Sequence, residues 1–139
     1  MNESTIVETI TSLFPNVETT EALGFTFFFY KSERNFPFAT FVASDTEHDK
    51  FSDLDRPGVY RLNIGVSKET FESLFGAGEV DASQYDFTAL DVVMPHPEYA
   101  AYHFVCVLSP ESSWEQVKDL LAEAHGMAAR RYERQGKEG

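Results

Sequence analysis

The sequence predicts an α+β fold: a two-layer sandwich with a five-stranded antiparallel sheet and helices on one face, in the order α-β-β-β-α-β-β-α. Three observations lead there. In residues 58–66, Tyr60, Leu62, Ile64 and Val66 alternate with Arg61 and Asn63, so the strand has one apolar and one polar face, as in an antiparallel sheet covered on one side. Periodicity along the chain runs helix, three strands, helix, two strands, helix, and short strands with helices gathered on one side make two layers. The length of 139 residues, 42% of them hydrophobic and thirteen of them Phe, suits a single domain over 1–139 with its own core.

The first helix spans residues 5–14, where Ile6, Ile10 and Leu13 recur at helical spacing with Val7 and Phe14. Thr5 and Glu8 have capping-box spacing, Asn2 and Ser4 are alternative caps, and Pro15 stops the helix. Residues 25–31, F-T-F-F-F-Y-K, are rich in aromatic strand formers, and 37–44 is the partner strand across a hairpin at 32–36. Residues 45–56, D-T-E-H-D-K-F-S-D-L-D-R, form an acidic loop. An EF-hand calcium loop needs Gly sixth and Glu twelfth; counted from Asp45 those places hold Lys50 and Arg56, so a solvated surface loop is expected.

Asp53, Asp55, Arg56, Pro57 and Gly58 are turn residues leading into the third strand, 58–66. Ser67 caps a helix over 68–75, with Phe71, Leu74 and Phe75 inward and Gly76 just past its end. Residues 77–87 are a polar loop, 88–94 a fourth strand stopped by Pro95 and Pro97, and 102–108 a fifth. Ser112 and Glu115 form a capping box before the longest helix, whose core stripe is Trp114, Val117, Leu120, Leu121, Ala124 and Ala128. Arg130, Arg131 and Arg134 suggest either an anion site or a complement to the helix dipole, and the dipole is the preferred reading; residues 135–139 are expected to fray.

Composition narrows the function. The net charge of −12, from eleven basic and twenty-three acidic residues, argues against a nucleic-acid partner, because such binding rests on neutralising phosphates. Cys106 is the sole cysteine, so an intrachain disulfide is excluded and a reducing compartment fits. There is no signal-peptide pattern and no run near the ~20 apolar residues of a membrane span. The expectation is a cytoplasmic protein with no membrane partner.

Four segments carry a resemblance: F-P-F-A-T (36–40), S-D-L-D-R-P-G-V-Y-R-L-N-I-G (52–65), T-A-L-D-V-V-M-P-H-P (88–97) and V-C-V-L (105–108). With the last helix they make the chain resemble a bacterial family known only as a domain of unknown function. More loosely, it resembles the MmcQ/YjbR-like proteins. That group tends to carry His-Trp at the start of its last strand, after a segment with Asn and Lys. The corresponding place here reads His103-Phe104, after Ala100, Ala101 and Tyr102. The resemblance implies a fold similar to type III secretion chaperones. A DNA-binding role suggested for that group runs against the acidic balance.

Candidate chemistry is sparse. His96, Glu98 and His103 are the only group resembling metal ligands, but their spacing matches no standard pattern, and no metal or cofactor is assigned. Cys106 alternates with Phe104 and Leu108 inside a strand and reads as a buried, inert thiol. There is no G-x-S-x-G, Walker A or G-x-G-x-x-G motif, and no catalytic residue is assigned. Arg61, Asn63, His96, Tyr99 and His103 are the candidate ligand-binding set of a cleft.

Several strands are apolar on both faces. Phe25, Phe27 and Phe29 alternate with Thr26, Phe28 and Tyr30, and Phe38 and Val42 alternate with Ala39 and Phe41. Helices cover one set; the other, with Phe28, Tyr30 and Phe41 taken as the interaction face, exposes an aromatic patch beyond the ~300–600 Å² usual on monomers. A second copy in a homodimer, a small molecule, another protein or the folded-over loop 77–87 would cover it. The expected function is a non-enzymatic binding or interaction domain. The alternative is a small metal-binding protein or enzyme using His96, Glu98 and His103.

Overall fold

The computed structural model describes residues 3–33 and 36–138. Its elements are α1 (Glu3–Leu13), β1 (Val17–Ala22), β2 (Phe25–Tyr30), β3 (Ala39–Val42), β4 (Arg61–Gly65), α2 (Lys68–Phe75), β5 (Met94–Pro95), β6 (Phe104–Leu108) and α3 (Trp114–Glu138). The strands form one open antiparallel sheet of six, in the order β1-β2-β3-β4-β6-β5. The class is α+β as the sequence predicts; the strand count and element order are not.

The additional strand is β1. Its residues Glu18 to Glu21 are polar and exposed, so it carries no apolar alternation to betray it. It is held instead by its register with β2, from Val17 opposite Tyr30 to Ala22 opposite Phe25. The hairpin turns on Leu23 and Gly24, both at positive φ (56° and 84°), as a two-residue turn matched to strand twist requires. The expected strand over 88–94 shrinks to Met94–Pro95, because the preceding residues serve another purpose. Asp91, at φ 62°, turns its carboxylate to the start of α3. There it accepts the backbone N–H groups of Glu111, Ser112 and Ser113 at 2.7, 2.9 and 3.0 Å, and the Ser113 hydroxyl at 2.6 Å. The turn at 111–113 is thus pinned by a remote loop, and because α3 starts at Trp114, Ser112 lies one residue ahead of the cap position that a Ser112–Glu115 box needs.

α2 has the predicted bounds, with the Ser67 hydroxyl accepting the Thr70 N–H at 3.1 Å and Gly76 at φ 89° past its end. α1 begins at Glu3, so Thr5 lies inside it rather than at its cap. α3 continues through residues 135–138, where fraying was expected. Asn2, the hairpin residues Arg34 and Asn35, and Gly139 lie outside the described residues.

Register decides which side chains share a face. Phe28, Ala39, Ile64 and Val105 lie opposite one another across four strands, as do Thr26, Phe41, Leu62 and Val107 in the next row. These rows make the inner face. They join Ile6 and Ile10 of α1, Phe71 of α2 and Val117, Leu121, Ala124 and Ala128 of α3 in one buried cluster. Phe28, Tyr30 and Phe41 therefore sit under the helices, which corrects their assignment to an interaction face. Their parity is fixed by pairing with Leu62 and Ile64, a relation that no single strand displays.

The outer face carries the other rows, Phe27–Thr40–Asn63–Cys106–Met94 and Phe25–Val42–Arg61–Leu108. The chain's own loops cover part of it. Leu54 and Val59 form a second cluster with Val42, Met94, Cys106 and Leu108, and Tyr85 and Phe87 pack against it. Among the described residues no helix is long and apolar enough to cross a membrane.

Candidate functional site

The uncovered part of the outer face forms a groove of about 1140 Å³. Its walls are aromatic, with Phe25 and Phe27 from β2, Phe36 ahead of β3, Phe104 from β6, and Tyr99 and Tyr102 beside the turn Ala100–Tyr102. Thr40, Asn63, Asp49 and His96 supply polar groups. From the outer face the lining passes around the end of β3 and β4, where the Gly65 N–H donates to the Phe38 carbonyl at 3.1 Å, to Ala124, Met127 and Arg131 of α3.

Beneath this floor lies Arg61, with no exposed surface. A buried guanidinium needs acceptors for its fork of N–H donors and a carboxylate for its charge. The Nε donates to Asn63 Oδ1 at 2.9 Å, and Nη1 to Ser52 Oγ and Asp49 Oδ1, each at 3.1 Å. Nη2 donates to Asp49 Oδ2. With its oxygen fixed by Arg61, the Asn63 amide turns its N–H to Thr40 Oγ1 at 2.9 Å. Charge and hydrogen bonding are thus arranged within the protein before anything enters the groove.

The acidic loop, expected to be solvated surface, closes over this network. Asp49 faces inward to Arg61, and Thr46 and Asp49 bridge backbone to backbone. The Asp45 carboxylate accepts the Leu54 N–H at 2.9 Å, and the Asp45 N–H donates to Asp55 at 3.1 Å.

His96 follows β5, and its backbone N–H donates to the Phe104 carbonyl at 2.9 Å. Its ring Nδ1 accepts the N–H groups of Glu98 and Tyr99, both at 3.0 Å. An Nδ1 that accepts two N–H groups carries no proton, so the neutral ring holds its hydrogen on Nε2. Burial, then the positive charge of Arg61, pushes the imidazole down to about 3, against an opposing pull from Asp49. A ring so weakly basic donates a hydrogen bond at neutral pH and makes a poor proton acceptor. Tyr99 packs on it with ring centroids 4.9 Å apart. The Tyr99 hydroxyl is raised above its ordinary value, first by burial and then by the charge of Glu98.

Of the five residues expected at a cleft, Asn63, His96 and Tyr99 line the groove together. Arg61 lies beneath and acts through Asn63 and Asp49. His103 is elsewhere: it closes the Ala100–Tyr102 turn at φ 65°, and its ring packs on Phe71 of α2 at 5.6 Å. That separates it from His96 and breaks up the expected trio with Glu98. Among the described residues no three His, Cys, Asp or Glu side chains gather as metal ligands. Cys106 is buried, its Sγ 3.8 Å from the Pro95 carbonyl, and burial pushes its thiol up to about 12. Sequence reasoning missed Asp49 and Thr40, and read Arg131 with its neighbours as a complement to the helix dipole rather than an anion site. The signal for Asp49 was present, since an Arg on a strand between apolar neighbours needs a carboxylate, and the acidic loop supplies one twelve residues away.

A family model described as a family of unknown function (DUF6194) matches residues 1–137. No curated protein and no solved structure matches the chain.

Proposed function

The chain belongs to the DUF6194 family, and from its groove we propose that it is a non-enzymatic binding domain that holds a small, largely apolar molecule on the outer face of its sheet. One observation carries this reading. Phe25, Phe27 and Phe104 wall a large open groove whose polar floor, Thr40 and Asn63, is already hydrogen-bonded through Arg61. An apolar guest then gains roughly 25 cal/mol per Å² of surface removed from water without stranding those floor groups. The His96 Nε2 hydrogen offers a donor that orients a polar atom of the guest, as few, fixed polar groups do in small-molecule sites.

A cytoplasmic setting is part of this reading, supported by the acidic composition and a single, buried cysteine. So is the loose likeness to the MmcQ/YjbR-like proteins. It brings no ligand with it, because His103, which stands at their His-Trp position, lies outside the groove lining.

The test uses a neutral naphthyl fluorophore titrated into the purified chain. Saturable emission is expected, with at least a tenfold loss of affinity in Phe27→Ser. Failure of the fluorophore to bind, together with sedimentation as a dimer that Phe27→Ser dissociates, would show instead that a second copy covers this face.

A further inference from the structure

The lining of the groove is unequal in charge. Arg131, in the later part of α3, is the sole Lys or Arg among its described lining residues. The acidic lining residues are Glu47, Asp49 and Glu98, and Asp49 is held by Arg61. The Arg131 Nε is buried and has no hydrogen-bond acceptor, although the residue as a whole is only partly buried. Its charged neighbours are Glu33 and Arg134. A guanidinium offers five donors in a planar fork, more than one neighbouring carboxylate accepts. One turn earlier on α3 is Met127, apolar and conformationally adaptable, and Phe36 and Pro37 add further apolar lining to the groove.

Resting on the binding reading above, we propose that the groove takes a long-chain carboxylic acid, its carboxylate on Arg131 and its hydrocarbon chain along Met127, Phe36, Phe104 and Phe27. Three features select this class. The Arg131 guanidinium, the sole cation of the described lining, calls for an anionic oxygen at one end of a groove with aromatic walls. A single cation beside Glu33 matches one negative charge better than the two of a phosphate monoester. The lining runs from Phe25 and Phe27 of β2 to Met127 and Arg131 of α3, a span that favours an elongated, flexible guest over a compact one.

The experiment is displacement of the neutral naphthyl fluorophore from the full chain by dodecanoate and, separately, by dodecanol. Wild-type protein is expected to bind dodecanoate at least tenfold more tightly. Arg131→Met and Arg131→Gln are each expected to remove that preference while leaving dodecanol and fluorophore affinity within about twofold. The retained fluorophore affinity shows that both variants are folded. Equal affinity of the wild type for acid and alcohol, or an acid preference that survives both substitutions, overturns the carboxylate assignment and leaves the groove reading standing. Failure of the fluorophore itself to bind overturns both.

Discussion

Arg61 and Asp49 meet through two parallel hydrogen bonds, yet their burial differs: the Arg61 side chain is fully enclosed, and that of Asp49 keeps 13% of its surface exposed. Removing either partner therefore has unequal consequences. Asp49→Ala strands a charge that has no route to water, and a loss of ~3–5 kcal/mol is expected. Arg61→Met removes the enclosed charge, fills the space with apolar atoms, and leaves Asp49 able to turn outward. It is expected to cost clearly less. Urea unfolding of the two variants checks this, and the reverse order would contradict it.

His96 ties stability to pH. Its imidazole titrates near 3 in the fold and near the ordinary 6.5 when unfolded. Between those values the unfolded chain binds a proton that the folded one refuses, so stability falls as pH drops, by up to ~1.4 kcal/mol per pH unit. The contribution of His96 is whole above pH 6.5 and shrinks by ~2 kcal/mol on going down to about pH 4.5. His96→Asn keeps an acceptor for the Glu98 and Tyr99 N–H groups but does not titrate. The stability gap between wild type and this variant is expected to shift by that amount between the two pH values in urea melts.

Asp91 pins the turn that leads into α3, and its four hydrogen bonds hold its carboxyl well below the usual carboxylate range. Because the folded value is depressed, its stabilisation is present above the ordinary carboxylate range and is lost as pH falls below it. Asp91→Ala is expected to lower the thermal midpoint and to speed amide exchange at Ser112 and Ser113. Asp91→Asn, which retains one acceptor oxygen, should be milder. Exchange that stays protected in the alanine variant would show that the turn into α3 holds without Asp91.

Cys106 is expected to ignore a thiol reagent at pH 8 in the native protein and to react fully once urea exposes it. Enclosure and a thiol pushed up to about 12 both withhold the thiolate. Rapid native labelling would mean that β6 opens to solvent.

Much of the fold was legible because it rests on local periodicity and punctuation. α2 reads directly from Ser67, Phe71 and Gly76, and β4 from its alternation. What escaped rests on partners far along the chain. β1 is polar and owes its place to pairing with β2, and Asp91 pins the turn into a helix that starts twenty-three residues later. The polar side of β4 was readable, so Asn63 was found. Which phenylalanines face away from the helices depended on cross-strand register, and the Phe28 and Phe41 assignment inverted for that reason. Arg131 could not be singled out because three arginines at a helix end look alike in sequence, and only the packed structure shows which one lines the groove.

The two borders of the sheet are built differently, and together they limit how the protein behaves at high concentration. One border is β1, where Glu18 and Glu21 are exposed along the free strand. The other is the two-residue β5, whose Pro95 has no N–H to offer and whose chain turns away at Pro97. Charge repels a neighbouring copy at the first border, and the second gives too few hydrogen bonds to template a strand. A chain this rich in phenylalanine and valine is thereby denied the ladder by which such sequences polymerise into fibrils. Its aromatic residues stay free to meet something smaller than another sheet.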